Sequence, residues 1–318
     1  MQVFIIGATG YVGTHIARSF LSAGHAVQGL CRDDSGAAKL EALGIIPASG
    51  TLDDLSTLAE AVRAADATIF TARVMEAGST RRREQDIVRG LLALLEGTGR
   101  TFIFTSGTGV LGQHTAGDWS EQSFGEDDPF RWPPVLTRRV ETERLVRDAA
   151  ARGVRGIVIR PPLIWGHELP SHAVHILRSV HAAGAACYVG RGLNCYTDVH
   201  IEDLADLYRL AAERGEAGAL YHATQGEIPV RWMAERIAAA FGVGTRSVSI
   251  GEGAALWGEY NARAVMGACS RSRSPRARGE LGWSPQRHDM LADIERIMLR
   301  IETDPAETDR ILNRRPPN

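Results

Sequence analysis

The sequence predicts an α/β fold in which a doubly wound parallel sheet is followed by a smaller C-terminal α/β region. Short apolar runs alternate with segments of helical apolar spacing through the first 165 residues, which is the pattern of repeated βαβ units. The first apolar run, residues 1–6, leads directly into a glycine-rich turn and then into a helical segment. After residue 166 the regular alternation ends, so we expect a different arrangement there.

The composition is typical of a soluble globular protein, with 44% hydrophobic and 23% charged residues. A net charge of −2 gives no indication of binding to nucleic acid or to a membrane surface. No apolar run approaches the roughly 18 residues that span a membrane, and we expect no signal peptide. The four cysteines form no C-x-x-C pair, so we expect no metal site, no disulfide framework and a cytoplasmic location.

The turn after the first strand has the sequence Gly-Ala-Thr-Gly-Tyr-Val-Gly. Its first glycine permits a tight exit from the strand, its second lets the backbone approach a pyrophosphate, and its third lets the helix pack closely. The helix N-terminus offers free N–H groups to phosphates, so the turn predicts a dinucleotide site. The alternative is a tight turn that binds nothing. The expected cofactor-binding residues here are Gly7, Thr9, Gly10, Tyr11, Val12 and Gly13.

This G-x-x-G-x-x-G turn, with its Gly-Ala-Thr-Gly start, resembles the extended and atypical short-chain dehydrogenase/reductase family, which includes the NAD-dependent epimerases and dehydratases. Three later segments are similar to motifs of the same family. They are the Arg-Pro…Trp-Gly segment at 160–166, the His-Ile-Glu-Asp-Leu-Ala segment at 200–205 and the Leu-Gly-Trp-Ser-Pro segment at 281–285. The resemblance extends over residues 1–300 and implies a Rossmann fold.

The resemblance also implies a division of the chain. Residues 1–165 are expected to form the dinucleotide-binding domain, to which residues 197–215 return. Residues 166–196 and 216–303 are expected to bind a small-molecule substrate, and residues 304–318 form a polar, proline-tipped tail.

The second predicted strand, residues 26–31, is followed by Arg32, Asp33 and Asp34. In dinucleotide folds an acid at this strand end holds the ribose 2′-hydroxyl of NAD, whereas an arginine accepts the 2′-phosphate of NADP. Because a guanidinium can form two hydrogen bonds to a phosphate, Arg32 favours NADP(H). NAD(H) is the alternative, with Arg32 solvated and one of the two aspartates at the ribose.

Further strands are predicted over residues 44–48, 67–70, 101–105 and 154–159, with helices over 35–43, 55–64, 78–96 and 135–152 between them. In the family the ends of the later strands pass beside the cofactor, so the resemblance implies further contacts there. The expected residues are Thr71, Ala72, Arg73, Thr105, Pro161 and Leu163.

The helix predicted over 78–96 begins with basic residues and is apolar later, at Ile87, Val88, Leu91 and Leu92. It resembles the helix that this family uses for dimerisation, which implies a homodimer. Residues 113–134 lack a clear period and contain Gly, Asp and Pro, so we expect a loop over the active site. C-terminal helices are predicted over 172–183, 230–241 and 284–300, and a strand over 220–223.

Enzymes of this family usually carry a Ser/Thr–Tyr–Lys triad, whose tyrosine donates or takes the substrate proton. Counting back from the family-like end of the predicted helix at Glu143 places the lysine position at Arg139 and the tyrosine position at Val135. The serine position is Gly107. The chain has no tyrosine in residues 12–187 and a single lysine, Lys39. The sequence therefore predicts an atypical member that lacks the usual Tyr–Lys pair.

Other side chains must then carry the chemistry. Arg139, or its neighbour Arg138, can donate to the ribose hydroxyls of the cofactor, but a guanidinium stays charged and cannot shuttle a proton. Ser106 and Thr108 flank the vacant serine position and can hydrogen-bond a carbonyl oxygen. The loop residues His114, Asp118 and His167 are further candidates, and each can equally be a satisfied loop residue.

Tyr196 is the fourth expected catalytic-site residue, with Ser106, Thr108 and Arg139. Nucleotide-sugar enzymes of the family place an arginine four residues before the strand's histidine, here His200, to bind the substrate diphosphate. A tyrosine offers one hydroxyl and an apolar ring instead, which favours a smaller or more apolar substrate. The alternative is that another arginine, such as Arg191, binds a diphosphate.

Three functions remain open from the sequence. The favoured one is an NADP(H)-dependent oxidoreductase for a small carbonyl or alcohol substrate. The second is an epimerase, dehydratase or lyase with tightly bound cofactor. The third is a non-catalytic NADP-binding sensor or scaffold, which the loss of the triad would suit.

Overall fold

The computed structural model describes residues 1–74, 80–303 and 310–311. The fold consists of a parallel sheet with helices on both faces and a C-terminal region of short strands and helices. The strands are β1 (Gln2–Ile6), β2 (Ala26–Cys31), β3 (Ile46–Ser49), β4 (Ala67–Phe70), β5 (Thr101–Thr105), β6 (Gln113–His114), β7 (Arg155–Arg160), β8 (Leu163–Trp165), β9 (Ala185–Val189), β10 (Cys195–His200), β11 (Leu220–His222), β12 (Gly226–Pro229), β13 (Gly244–Val248) and β14 (Ala268–Cys269).

Helices follow most strands of the large sheet. They are α1 (Tyr11–Ser22), α2 (Asp34–Glu41), α3 (Ala59–Ala64), α4 (Thr80–Leu95), α5 (Thr137–Asp148), α6 (Ser171–Ala183), α7 (Ile201–Arg214), α8 (Val230–Ala240), α9 (Ile250–Trp257), α10 (Glu259–Asn261), α11 (Pro275–Leu281) and α12 (Met290–Thr303). A π-helical turn, Ala262–Met266, follows α10. Short 3₁₀ turns lie at Leu55–Leu58, Thr108–Leu111, Pro134–Leu136 and Ala149–Arg152.

In the described residues the large sheet has seven parallel strands in the order β11-β7-β5-β4-β1-β2-β3. The register aligns isoleucines across its centre, with Ile5 beside Ile69, Ile69 beside Ile103 and Ile103 beside Ile157. These side chains are fully buried under α1 and α7. The intervening aromatic residues face the opposite side, under α4 and α5. Burial on both faces explains the nearly continuous apolar sequence of these strands. The predicted doubly wound α/β class is confirmed.

The C-terminal region contributes its own small sheets. Strand β10 pairs in parallel with β8 and antiparallel with β12, and β9 pairs with β13. These strands and α6, α8 and α12 enclose a second core. Strand β11, which the sequence assigned to the substrate-binding region 216–303, is instead the edge strand of the large sheet beside β7. Helix α7, within the returning segment 197–215, packs on α1, while β10 belongs to the C-terminal sheet.

Residues 113–134 are irregular apart from β6, as expected of a loop, but none of them lines the large cleft described below. This segment pairs instead with the C-terminal region, because β6 forms an antiparallel pair with β14 and Phe124 bridges to Ser272. Arg273 also forms an ion pair with Asp128 at 2.5 Å.

The apolar residues of α4 are accounted for within one protomer. Ile87, Val88, Leu91 and Leu92 are buried against the sheet. They therefore give no support of their own to a dimer interface, and the homodimer stays a prediction. The predicted start of this helix at residues 78–79, and the predicted tail apart from 310–311, lie outside the described residues. No helix in the described part of the chain is long and apolar enough to cross a membrane.

Candidate functional site

A cleft of about 1730 Å³ runs along the carboxyl ends of the parallel strands. Ligands of open α/β sheets bind at this edge, at the point where the order of the strands reverses between the two halves of the sheet. The cleft lining comes from the turns after β1, β2, β4, β5 and β7, together with α6 and the segment around α10. Among the predicted residues it includes Gly7, Thr9, Gly10, Tyr11, Val12, Gly13, Arg32, Thr71, Ala72, Arg73, Thr105, Ser106, Arg139 and Pro161.

The glycine turn leaves space that any side chain would fill. Gly7 has φ +101°, and a Cβ there would lie 2.6 Å from Thr71 Oγ1. A Cβ on Gly13 would lie 2.2 Å from the carbonyl oxygen of Gly7. Gly10 caps α1 in an extended conformation, and no side chain hydrogen-bonds the helix N-terminus. The helix begins at Tyr11, inside the glycine motif, so its first N–H groups face the cleft and suit a pyrophosphate.

Replacing Gly13 with alanine is expected to weaken binding of a nicotinamide dinucleotide about 30- to 100-fold, a free-energy loss of about 2–3 kcal/mol. The new Cβ would push α1 away from the Gly7 carbonyl and widen the cradle. Fluorescence titration with NADPH measures the change. Gly279→Ala, in helix α11 with no atom within 4 Å of its Cβ position, is the matched control and should not alter affinity. Equal affinities for the two variants would contradict the role of Gly13.

The end of β2 brings two cations to the cleft. Arg32 is exposed and forms no ion pair among the described residues. Lys39, from α2, also lines the cleft, and its Nζ donates to the carbonyl oxygen of Thr9 at 2.5 Å. Asp33 caps α2 by accepting from the Gly36 N–H at 2.7 Å. Sequence reasoning missed Lys39 as a site residue, although its being the only lysine, seven positions after Arg32, could have suggested it.

The ends of β4 and β5 form the middle of the cleft. Thr71 Oγ1 donates to the Ile6 carbonyl at 3.1 Å, which fixes the end of β4 against the glycine turn. At the end of β5, Tyr208 donates its hydroxyl proton to Thr105 Oγ1 at 2.7 Å. Arg139 donates to the Thr105 carbonyl at 3.2 Å and forms an ion pair with the buried Glu84 at 3.2 Å. Arg139 is thus held at the position where the resemblance places the family's lysine.

Ser106 belongs to a buried polar network beneath the cleft. Its hydroxyl donates to Glu143 at 2.5 Å. Glu143 accepts two hydrogen bonds from Arg160, at 2.9 and 2.5 Å, and both side chains are 3% exposed. Arg160 also donates to Nε2 of His222 at 3.2 Å, whose Nδ1 lies 3.0 Å from the Arg273 carbonyl. Since the Ser106 proton is held by Glu143, Ser106 can offer a ligand a lone pair rather than a proton.

Three predicted site residues are not brought to the cleft. Thr108 is 1% exposed and lies in a 3₁₀ turn, where its carbonyl accepts from Ser270. Leu163 packs in the C-terminal core, while the next residue on β8, Ile164, lines the cleft. Tyr196 is also in that core, 4.4 Å from His172 between ring centroids, and burial raises the pKa of its phenol. The alternation of side chains along a strand explains the exclusion of Leu163.

The three candidate loop residues also lie elsewhere. His114 pairs in β6 with β14, and Asp118 lies 3.7 Å from Arg191. His167 stacks on His15 and contacts Glu202 at 3.3 Å. None of the three candidates is among the residues that line the cleft in the described structure.

The part of the cleft lined by α6 and by the segment around α10, here termed its far end, is formed by residues that sequence reasoning missed. Helix α6 supplies polar groups, and the segment around α10 forms the facing wall. These residues are Ser171, His175, Arg178, Tyr260, Asn261 and Val265. They come from segments 80 positions apart in the chain, and no local motif indicates that they meet.

Comparison with known proteins places this architecture among nucleotide-dependent enzymes. Residues 3–224 match the family described as the NAD dependent epimerase/dehydratase family. An uncharacterized protein of Schizosaccharomyces pombe is 32% identical over 300 residues, covering 92% of this chain and 98% of that protein. The 4-hydroxy-2-methyl-3-oxo-4-farnesyl-3,4-dihydroquinoline-1-oxide ketoreductase of Stigmatella aurantiaca is 26% identical over 232 residues, covering 71% of this chain and 69% of the relative.

Solved structures share the fold at lower identity. The dTDP-glucose 4,6-dehydratase of Bacillus anthracis, solved in complex with NAD, superposes with a TM-score of 0.74 at 14% identity. The match covers 98% of this chain and 99% of that structure. At this identity the likeness establishes the fold and leaves the substrate open.

Proposed function

This chain belongs to the NAD dependent epimerase/dehydratase family and is an NAD(P)-dependent enzyme. Within that family we propose that it is an NADP(H)-dependent oxidoreductase for a small carbonyl compound or the corresponding alcohol. The pair of cations at the end of β2 is the observation that carries the cofactor choice. A ketoreductase among the relatives agrees with the proposed reaction type.

Arg32 and Lys39 support binding of a 2′-phosphate. Both line the cleft at the strand end that reads the adenosine ribose. The guanidinium of Arg32 is not committed to another described group, whereas the carboxylate of Asp33 already accepts the Gly36 N–H. A phosphate between two cations forms charge-assisted hydrogen bonds, which are stronger than those a ribose hydroxyl forms with neutral groups.

The chain's own residues would position the reacting groups at the other end. Bound NADPH would supply a hydride to the substrate carbonyl carbon. Arg139, held by Glu84 and the Thr105 carbonyl, would donate to the ribose next to the nicotinamide. The Ser106 oxygen can accept a hydrogen bond from the alcohol form of the substrate, while its own hydroxyl donates to the Glu143 carboxylate. Water is the proton source in this proposal, because Arg139 stays charged.

Arg32→Ala is expected to raise the Kd for NADPH about 10- to 100-fold while leaving the Kd for NADH unchanged. The lost group is a charged donor to a phosphate that NADH lacks. Titration of each variant with both cofactors measures the selectivity. Lys39→Ala should also lower the preference for NADPH over NADH. Arg89→Ala, an exposed arginine of α4, is the control. A wild-type preference for NADH, or equal losses for both cofactors, would refute the assignment.

Cofactor retention and NADPH consumption distinguish the proposed oxidoreductase from an epimerase, dehydratase or lyase. A protein that retains nicotinamide cofactor through purification, and that does not consume added NADPH with any carbonyl substrate, would support an epimerase, dehydratase or lyase instead. Consumption of NADPH at 340 nm with a carbonyl panel would support the oxidoreductase.

A further inference from the structure

We propose that His175 binds the substrate, and that the substrate is a largely apolar ketone with a second oxygen that hydrogen-bonds the His175 imidazole. This inference rests on the proposed oxidoreductase function and names the substrate class of the same cleft. A 1,2-dicarbonyl compound, a 1,3-dicarbonyl compound or a hydroxyketone has the required pair of oxygens.

The imidazole of His175 has no hydrogen-bond partner among the described residues. It lies on α6, lines the far end of the cleft and is 2% exposed. Its Nδ1 is buried without a hydrogen-bond partner, and in the described structure Nε2 has no protein partner either. A buried polar atom left unpaired is costly, so such an atom in a ligand cleft indicates a group that the ligand satisfies.

The imidazole is suited to a neutral ligand. Burial, aided by the nearby charge of Arg178, lowers the pKa of His175 to about 4, so the ring is neutral at physiological pH. A neutral imidazole has one donor and one acceptor nitrogen. With neither nitrogen bonded to the protein, the ring can adopt the tautomer that matches either a carbonyl or a hydroxyl oxygen.

The apolar side chains that line this part of the cleft indicate a substrate with an apolar carbon skeleton. Between the ends of β5 and β7 and the segment around α10, the lining includes Val135, Pro161, Ile164 and Val265. Ser106 can contact the reacting oxygen only in the alcohol form of the substrate, because its proton is donated to Glu143. The His175 imidazole is then available for a second oxygen of the substrate. This division of roles fits a compact bifunctional ketone.

His172 provides an internal comparison. It lies one turn before His175 on the same helix and is 1% exposed, but its Nε2 is 3.2 Å from the Val265 carbonyl. A structural histidine has such a partner, and its replacement should destabilise the fold. A ligand-binding histidine that has no hydrogen-bond partner in the protein should be replaceable without a loss of folding stability.

The first measurement is thermal unfolding of His175→Phe and His172→Phe. We expect the Tm of His175→Phe to equal or exceed that of the wild type, by up to about 2–4 °C, because an unpaired polar group is removed. His172→Phe should lower the Tm by a similar or larger amount. A loss of stability in His175→Phe that equals the loss in His172→Phe would assign His175 a structural role and overturn the proposal.

The second measurement compares 2,3-hexanedione with 2-hexanone, which lacks the second oxygen. His175→Phe should lower kcat/KM for the dione about tenfold more than it lowers kcat/KM for 2-hexanone. His175→Asn, which keeps a donor and an acceptor, should recover part of the loss. Equal effects on both ketones, or reduction of neither by the wild type, would overturn the proposal.

Titration with NADPH separates this proposal from the one on which it rests. His175→Phe should bind NADPH as tightly as the wild type. If the wild type binds NADPH but reduces neither ketone, the substrate class is wrong while the cofactor assignment stands. If the wild type does not bind NADPH, the proposed function itself fails.

Discussion

Glu143→Ala is expected to lower the free energy of unfolding by about 3–5 kcal/mol. Glu143 and Arg160 form a buried ion pair, and both side chains are 3% exposed. Removal of the carboxylate leaves the Arg160 charge without a counter-ion in the interior, and it also takes the acceptor from Ser106. The cost arises mainly from this uncompensated charge rather than from the lost attraction.

Urea unfolding of Glu143→Ala and Glu141→Ala provides the test. Glu141 lies on the same helix and contacts Arg138 at 3.8 Å, with both side chains nearly half exposed. Exposed pairs of this kind contribute about 0–1 kcal/mol, so Glu141→Ala should unfold close to the wild type. Similar midpoints for the two variants would show that the Arg160 charge is compensated in another way.

Acidification from pH 7.5 to pH 5 is expected to destabilise the protein by several kcal/mol. Burial lowers the pKa of His172 and His222 to about 3 and of His175 and His200 to about 4. Below pH 6.5 the unfolded chain therefore takes up protons that the folded protein does not bind. Stability is full above pH 6.5 and falls toward pH 4, by about 1.4 kcal/mol per pH unit for each histidine.

Two carboxyl groups, Glu126 and Asp198, act in the opposite direction because burial raises the pKa of each. Burial raises the pKa of Asp198 to about 6, so its protonation in the folded state offsets about one of the four histidines between pH 6 and 4. Urea unfolding at pH 7.5, 6.0 and 5.0 measures the slope. His175→Phe removes one titrating group and should flatten it. Constant stability over this range would show that the buried histidines take up protons in the folded state.

Much of the cofactor half of the cleft is predictable from short segments. The strand, turn and helix of residues 1–22 need three glycines for steric reasons. In the structure, a Cβ added at any of the three would lie within a few ångströms of neighbouring atoms. Arg32 follows from its position at the end of β2, and the turns after β4, β5 and β7 follow from the repeated βαβ order. These features are local or follow from the regular repeat, so the sequence contains them.

The substrate half was decided by tertiary structure. Both faces of β10 are buried, so its sequence has no alternation to indicate that Tyr196 faces a core rather than the cleft. The Ser106–Glu143 contact and the facing of α6 with α10 join residues far apart in the chain.

The sequence by itself determined the α/β class, the alternation of strands and helices along residues 1–165 and the dinucleotide turn, because these depend on neighbouring residues and on hydrophobic period. Only the folded chain decided that the His175 Nδ1 is buried without a hydrogen-bond partner among the described residues, that Lys39 contacts the glycine turn and that none of residues 113–134 lines the cleft. Each of these depends on packing between distant segments, which periodicity does not encode.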